Sequence, residues 1–289
     1  LFVPRADGAD VSICRNKDSS QSIFASDEIH QALRAKGEDP NLLDLQFTDV
    51  TAEGHRIVLA LRSDDRIMER MQTAGGEALP ASEKEGFCIR TTEHNGDITT
   101  WVIGADPAGV MYGGLELAEL IRSAGVAEIP DVDQNPYMAM RGVKFNVPLD
   151  ARTPSYSDVS DAAQKNIIEM WNFDFWKEFI DNWARHRYNT ISLWSLHPFP
   201  SMVRVPNYQM VALDDVKRSN VRWSEYYSLT GTDFDDPDIL RDLETIKTMS
   251  IDDKIDFWCD VMRYGKSRNI DFFVITWNIF VNGTDGLYG

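Results

Sequence analysis

Three short apolar stretches, at 141–147, 189–194 and 270–277, alternate with amphipathic helical patterns, and that alternation leaves few folds open to the second half of the chain. The last stretch is apolar almost throughout, which suits a strand buried on both faces in a parallel sheet covered by helices. A loop rich in Pro, Ser and Asp follows the first stretch, from 148 to about 161. Residues 173–186 then set Phe175, Trp176, Phe179, Ile180 and Trp183 on one helical face. After the second stretch, an irregular segment from 197 to about 238 leads to a helix at 251–267 striped with Ile255, Trp258, Cys259 and Met262. Strand–helix–strand–helix–strand with continuous apolar strands predicts parallel βα units in an α/β fold.

The first 125 residues have a different rhythm and read as a small α+β domain. A strand at 11–15 precedes a helix at 23–36, with Ser26 as a candidate cap. Residues 42–50 and 55–61 look like two strands parted by a turn at Glu53-Gly54. A helix starts at Asp64 and stops at Gly75-Gly76. Residues 87–92 and 98–103 form the clearest hairpin, with Asn95-Gly96 in its turn. An amphipathic helix through Val110, Leu115, Leu117, Leu120 and Ile121 ends at Gly125. Residues 126–137, with Pro130 and Pro136, read as a linker ahead of the βα region at 138–289.

The net charge of −17 repels phosphate backbones and anionic lipid, so neither nucleic acid nor a membrane surface is expected as a partner. No run of about 20 apolar residues exists to form a membrane-spanning helix. Cys14, Cys88 and Cys259 lack the spacing of a zinc or redox motif and read as structural thiols, with a Cys14–Cys88 disulfide as the open alternative. The chain begins Leu1-Phe2-Val3 without a signal peptide or an initiator Met, which predicts a processed or trimmed product and leaves export open. No metal site or cofactor is expected. Asp233, Asp235, Asp236 and Asp238 fail the calcium-loop pattern, because its sixth position is Asp238 where glycine is needed. Gly265-Lys266-Ser267 fails as a P-loop, because the required earlier glycine is Asp260. Asn282-Gly283-Thr284 fits a glycosylation acceptor. Seven of the eight Trp residues follow Asn135; such rings stack on sugar faces, although filling helix–strand interfaces is their commoner use.

Three segments, in order, resemble glycoside hydrolases of families 20 and 67, the hexosaminidases and α-glucuronidases. They are the 104–115 segment Gly-Ala-Asp-Pro-Ala-Gly-Val-Met-Tyr-Gly-Gly-Leu, the 140–145 segment Met-Arg-Gly-Val-Lys-Phe, and the segment running from Phe179 to Thr190. The resemblance implies a small α/β domain ahead of a (β/α)₈ barrel, a secreted or periplasmic location, and a carbohydrate substrate. It also implies that Arg141 reaches sugar hydroxyls. Asn146 stands where family 20 usually has Asp. The catalytic Asp-Glu pair of that family follows the fourth strand, whereas this chain supplies three, so the catalytic residues are expected beyond it. A small domain plus a barrel of about 250 residues exceeds 289. The expected architecture is therefore an incomplete TIM barrel, with the remainder supplied by further sequence or by another chain.

Barrel active sites lie at the C-terminal ends of the strands. That places Asn146, Asp150 and Arg152 after the first strand, Trp194, Ser195, His197 and Phe199 after the second, and Trp277, Asn278 and Asn282 after the third. With Arg141 these are the candidate substrate-binding residues, although Trp194 and Trp277 also suit a core and His197 a structural place before Pro198. Glycoside hydrolysis uses two carboxyl groups roughly 5–10 Å apart, and Asp150 is the one carboxylate at a predicted strand end, better suited to a substrate contact or loop brace than to catalysis. The resulting expectation is a glycoside hydrolase acting on a poly- or oligosaccharide. Its rivals are a non-catalytic carbohydrate-binding protein on a degenerate barrel, and a metal-dependent hydrolase using His197.

Overall fold

The computed structural model describes residues 11–46, 54–153, 160–195, 199–222 and 240–275. The chain divides into two compact units, Leu1–Ala139 with Ser267–Asn269, and Met140–Lys266 with Ile270–Gly289.

The first unit runs β1 (Val11–Arg15), α1 (Ser20–Ala35), β2 (Asn41–Asp44), β3 (His55–Leu61), α2 (Asp65–Thr73), β4 (Phe87–His94), β5 (Asp97–Gly104), α3 (Pro107–Ala124) and β6 (Val132–Gln134). Its sheet has the order β2-β1-β3-β5-β4-β6, parallel from β2 to β5 and antiparallel beyond. The two strands expected around a turn at Glu53-Gly54 are thus not neighbours: β1 lies between them, and residues 47–53 lie outside the described residues. Apolar content explains the order. Buried β1 and β3 take central places, while half-exposed β2 takes an edge. Val132–Gln134, inside the stretch read as linker, pairs with β4. The β4–β5 turn is as expected, with Asn95 and Gly96 both at positive φ (54° and 90°).

Each helix of this unit starts on a side-chain cap, from Ser19, Asp64 or Asp106. Ser26, the cap expected from the sequence, lies buried inside α1 instead. Its hydroxyl donates to the Ile23 carbonyl (2.7 Å) and accepts from Arg15 (2.6 Å). The glycines of the 104–115 segment have a packing explanation. A Cβ on Gly113 would stand 2.7 Å from Val102 Cγ1, and one on Gly114 2.6 Å from Ala25 Cβ. Bare backbone therefore lets α3 wedge between the sheet and α1. Gly114→Val is expected to lower stability by about 1–3 kcal/mol through overpacking, read as a fall of several degrees in Tm. An unchanged Tm would show that α1 can retreat at no cost.

The second unit runs β7 (Gly142–Asn146), α4 (Asp161–Met170), α5 (Phe173–Arg185), β8 (Thr190–Trp194), α6 (Phe199–Met202), β9 (Val216–Ser219), β10 (Leu243–Lys247), α7 (Ile251–Ser267) and β11 (Asp271–Ile275). Strands β7, β8 and β11 form a parallel sheet with β8 central. The sequence leaves 162–172 unassigned, and α4 fills most of it, with Gln164, Ile167 and Met170 as its buried stripe. The antiparallel pair β9–β10 lies in and just after the stretch read as irregular.

Four Trp residues make much of this unit's core. Trp171, Trp176, Trp194 and Trp258 are each no more than 2% exposed. Trp176 stands 5.3 Å from Trp258 and 6.3 Å from Phe145 of β7 between ring centroids, and Trp171 stands 5.9 Å from Trp258. Helices α5 and α7 are thereby clamped to one face of the sheet. The other face carries no cover among the described residues. Consequently β11 departs from the expected burial: Phe273 and Ile275, which alternate onto that face, are 47% and 38% exposed.

Candidate functional site

Strand alternation and register decide which side chains share the uncovered face. Phe145 meets α5, and Phe272 lies close enough to α7 that a Cβ on Gly265 would stand 2.3 Å from its ring. These residues face the helices, so the opposite set faces away: Lys144 and Asn146 on β7, Ser192 and Trp194 on β8, Phe273 and Ile275 on β11. Asn146, Trp194 and Ile275 form one row at the C-terminal ends, and Lys144, Ser192 and Phe273 the row beneath. The structure therefore places Asn146 and Trp194 side by side in the register. Of the two readings of Trp194, the structure favours the core. The indole is 2% exposed, and the Lys144 ammonium sits 3.8 Å from its ring centroid. A ring face covered by a cation offers no platform to a sugar. Lys144 was missed among the candidates, although the alternation Val143, Lys144, Phe145, Asn146 puts it on the face of Asn146.

In the loop after β7, Asp150 takes the brace of its two expected roles. Asp150 has a side chain with no exposed surface. Its Oδ1 accepts from the Arg152 backbone N–H (2.9 Å) and Nε (2.8 Å), and its Oδ2 from Arg152 Nη2 (2.8 Å) and the Lys217 backbone N–H (3.1 Å). Four donors saturate a carboxylate, so Asp150 is a brace and has no lone pair left for a sugar. Arg152 is drawn into the same brace, its Nη2 also donating to the carbonyls of Asp214 and Asp215 at 2.9 Å each. Ala151 N–H donates to the Lys217 carbonyl and Trp171 Nε1 to that of Leu149, each at 2.9 Å. The loop is thus pinned to β9 and to the aromatic core.

Lys254, in the first turns of α7, is a fully buried cation beside this brace. Its Nζ donates to the Leu213 carbonyl at 2.8 Å and lies 5.3 Å from the Trp171 ring centroid. Burial lowers its pKa from 10.5 to about 8, and the Asp150 carboxylate offsets only part of that fall. The unfolded chain therefore holds more of this proton than the folded one between those two values. Stability should climb with pH across that window, by up to about 1.4 kcal/mol per unit. Urea unfolding at about pH 7.5 and about pH 9.5, compared with the same pair for Lys254→Met, isolates this contribution. Equal pH slopes for the two proteins would refute it.

Among the other candidates that are described, Arg141 does not join the cluster. Arg141 precedes β7 and so lies at the opposite end of the strand from Asn146. Its Nε donates to the Arg187 carbonyl and its backbone N–H to Asn189 Oδ1, both at 2.8 Å, bonds that tie it to the turn entering β8. Ser195 is buried, 3% exposed. His197, Trp277, Asn278 and Asn282, and the Asp233–Asp238 cluster, lie outside the described residues, and of Phe199 only the backbone is described. Among the described residues no group of three or more His, Cys, Asp or Glu could hold a metal, and no helix is long and apolar enough to cross a membrane. Cys14 and Cys88 are buried free thiols, so they are not paired.

No protein-family model and no curated protein matches the chain. Solved structures do. One is a family GH138 enzyme targeting pectin rhamnogalacturonan II, 19% identical, matched over 94% of this chain and 32% of its own length with a TM-score of 0.60. Another is a glycoside hydrolase family 20 β-N-acetylglucosaminidase, 19% identical, over 93% of this chain and 38% of its own, with a TM-score of 0.39. A third is a GH20 exo-β-N-acetylglucosaminidase from Vibrio harveyi, 11% identical, over 93% and 32%, with a TM-score of 0.40. The chain spans about a third of the length of these proteins. The first likeness shows a glycoside-hydrolase-like fold.

Proposed function

We propose that this chain is part of a glycoside hydrolase acting on a poly- or oligosaccharide. The first unit serves as its accessory domain, and β7, β8 and β11 are the opening strands of a (β/α)₈ barrel. The observation that carries this reading is the fold shared across nearly the whole chain with an enzyme that targets a pectin polysaccharide. The sheet supports the barrel: its strands are parallel, follow chain order and, among the described residues, are covered by helices on one face. Among the described residues β7 and β11 also have unpaired outer edges, which a barrel's next strands would close. The short motifs quoted above favour relatives of the hexosaminidase and α-glucuronidase type.

With Asp150 spent as a brace, the catalytic carboxyl pair comes from outside the described residues. Asn146 faces the cleft as a hydroxyl-binding amide. The test is hydrolysis by the full-length gene product, assayed on pectin-derived oligosaccharides and a panel of aryl glycosides. Release of a sugar is expected. Binding of these glycans without any release would instead favour a non-catalytic carbohydrate-binding protein, and neither binding nor release would reject both.

A further inference from the structure

Among the described residues, the face of the sheet turned away from the helices carries one charge near its C-terminal end, and none of them supplies it with a counter-ion. Lys144 is exposed, and among the described residues its ammonium meets the Trp194 ring face, 3.8 Å from the centroid. On the same face of β7 stand Gly142 and Asn146, and on that of β8 Thr190, Ser192 and Trp194, none of them charged. The charged residue on that face of β11 is Asp271, at the N-terminal end and already 3.0 Å from Lys266. Directly opposite Lys144 in the register is Ser192, whose Oγ is buried without a hydrogen-bond partner. A cation and an unused hydroxyl therefore stand side by side, with the Asn146 amide one row above.

A cation that a closing barrel would enclose needs an anion. Its position is not loose, because the indole face holds the ammonium over the side of the sheet turned away from the helices. Glycoside hydrolysis supplies the anion, since its two carboxyl groups work in opposite protonation states and one must stay ionised.

We propose that Lys144 is a positioning residue whose ammonium, with the Ser192 hydroxyl beside it, holds the ionised carboxylate of the catalytic pair. This rests on the glycoside hydrolase reading. An ammonium within ion-pair distance keeps a carboxylate ionised to lower pH; without it, the carboxylate protonates earlier as pH falls.

The experiment is the pH profile of kcat/KM for the full-length gene product on whichever substrate it cleaves, for wild type, Lys144→Met and Lys144→Arg. The acidic limb is expected to move up by about one pH unit or more in Lys144→Met and to stay near its wild-type position in Lys144→Arg. Ser192→Ala is expected to move it less, in the same direction. An acidic limb that stays put in folded, active Lys144→Met overturns the proposal, and so does a change in KM alone, which would assign the ammonium to a group on the substrate. If Lys144→Met does not fold, the limb in Ser192→Ala decides, and no movement there overturns it. Absence of hydrolysis by the wild type would reject the glycoside hydrolase reading itself, an outcome distinct from an active enzyme with an unmoved limb.

Discussion

Asp150→Ala is expected to destabilise the second unit by about 3–5 kcal/mol, because it strands buried positive charge. The carboxylate takes four hydrogen bonds, two from the Arg152 side chain and two from backbone. Lys254, fully buried nearby, loses its attraction as well. Neither cation has an easy route to water: the Arg152 side chain is 21% exposed and Lys254 has no exposure at all. Urea unfolding followed by tryptophan emission reports on this unit, since seven of the eight Trp residues belong to it. The double variant Asp150→Ala/Lys254→Met is expected to recover part of the loss, because it removes one of the stranded charges. A loss below about 1 kcal/mol for the single variant would show a solvated, dispensable ion pair of the surface kind.

Trp176→Ala is the second large effect, about 3–5 kcal/mol from the cavity left behind. The side chain has no exposed surface. It packs against Phe145, Phe179 and Trp258, with ring centroids 5.3 to 6.3 Å away. Its Nε1 also donates to the Met170 carbonyl at 3.0 Å, which ends α4 against the start of α5. Trp176→Phe keeps most of the packing and is expected to cost less. Calorimetry of the two variants would separate the volume lost from the hydrogen bond lost, and equal costs would assign the whole effect to the bond.

The parallel three-stranded sheet of the second unit was legible because its strands are rich in apolar residues and the intervening helices have a clear stripe. The β4–β5 hairpin was legible because Asn95-Gly96 suits the positive φ that its turn requires. Helix α4 was missed because its buried stripe begins with Gln164, a polar residue that earns its place by accepting from Ser219 N–H at 2.8 Å. Composition alone could not divide the Trp residues between core and sugar platform. The sign was nonetheless present, since Trp176 and Trp258 lie on the apolar stripes of their own helices. Asp150 misled for a different reason. A carboxylate at a strand end looks like a ligand group until its partners are known, and Lys217 and Lys254 come from far along the chain. Lys144 was hidden by its apolar neighbours, although period-two reading of β7 finds it.

The long reach of these contacts bears on how the second unit is made. Arg141 meets Asn189 across 48 residues, Gln164 meets Ser219 across 55, and Arg152 meets Asp215 across 63. Each closure loses chain entropy before any burial repays it, so a parallel sheet of this kind assembles slowly. During synthesis β7 leaves the ribosome with no neighbour to pair with until α4 and α5 have followed it and β8 has emerged. For that interval Val143 and Phe145 belong to an open strand edge, the kind of exposed apolar backbone that favours association between unfinished chains.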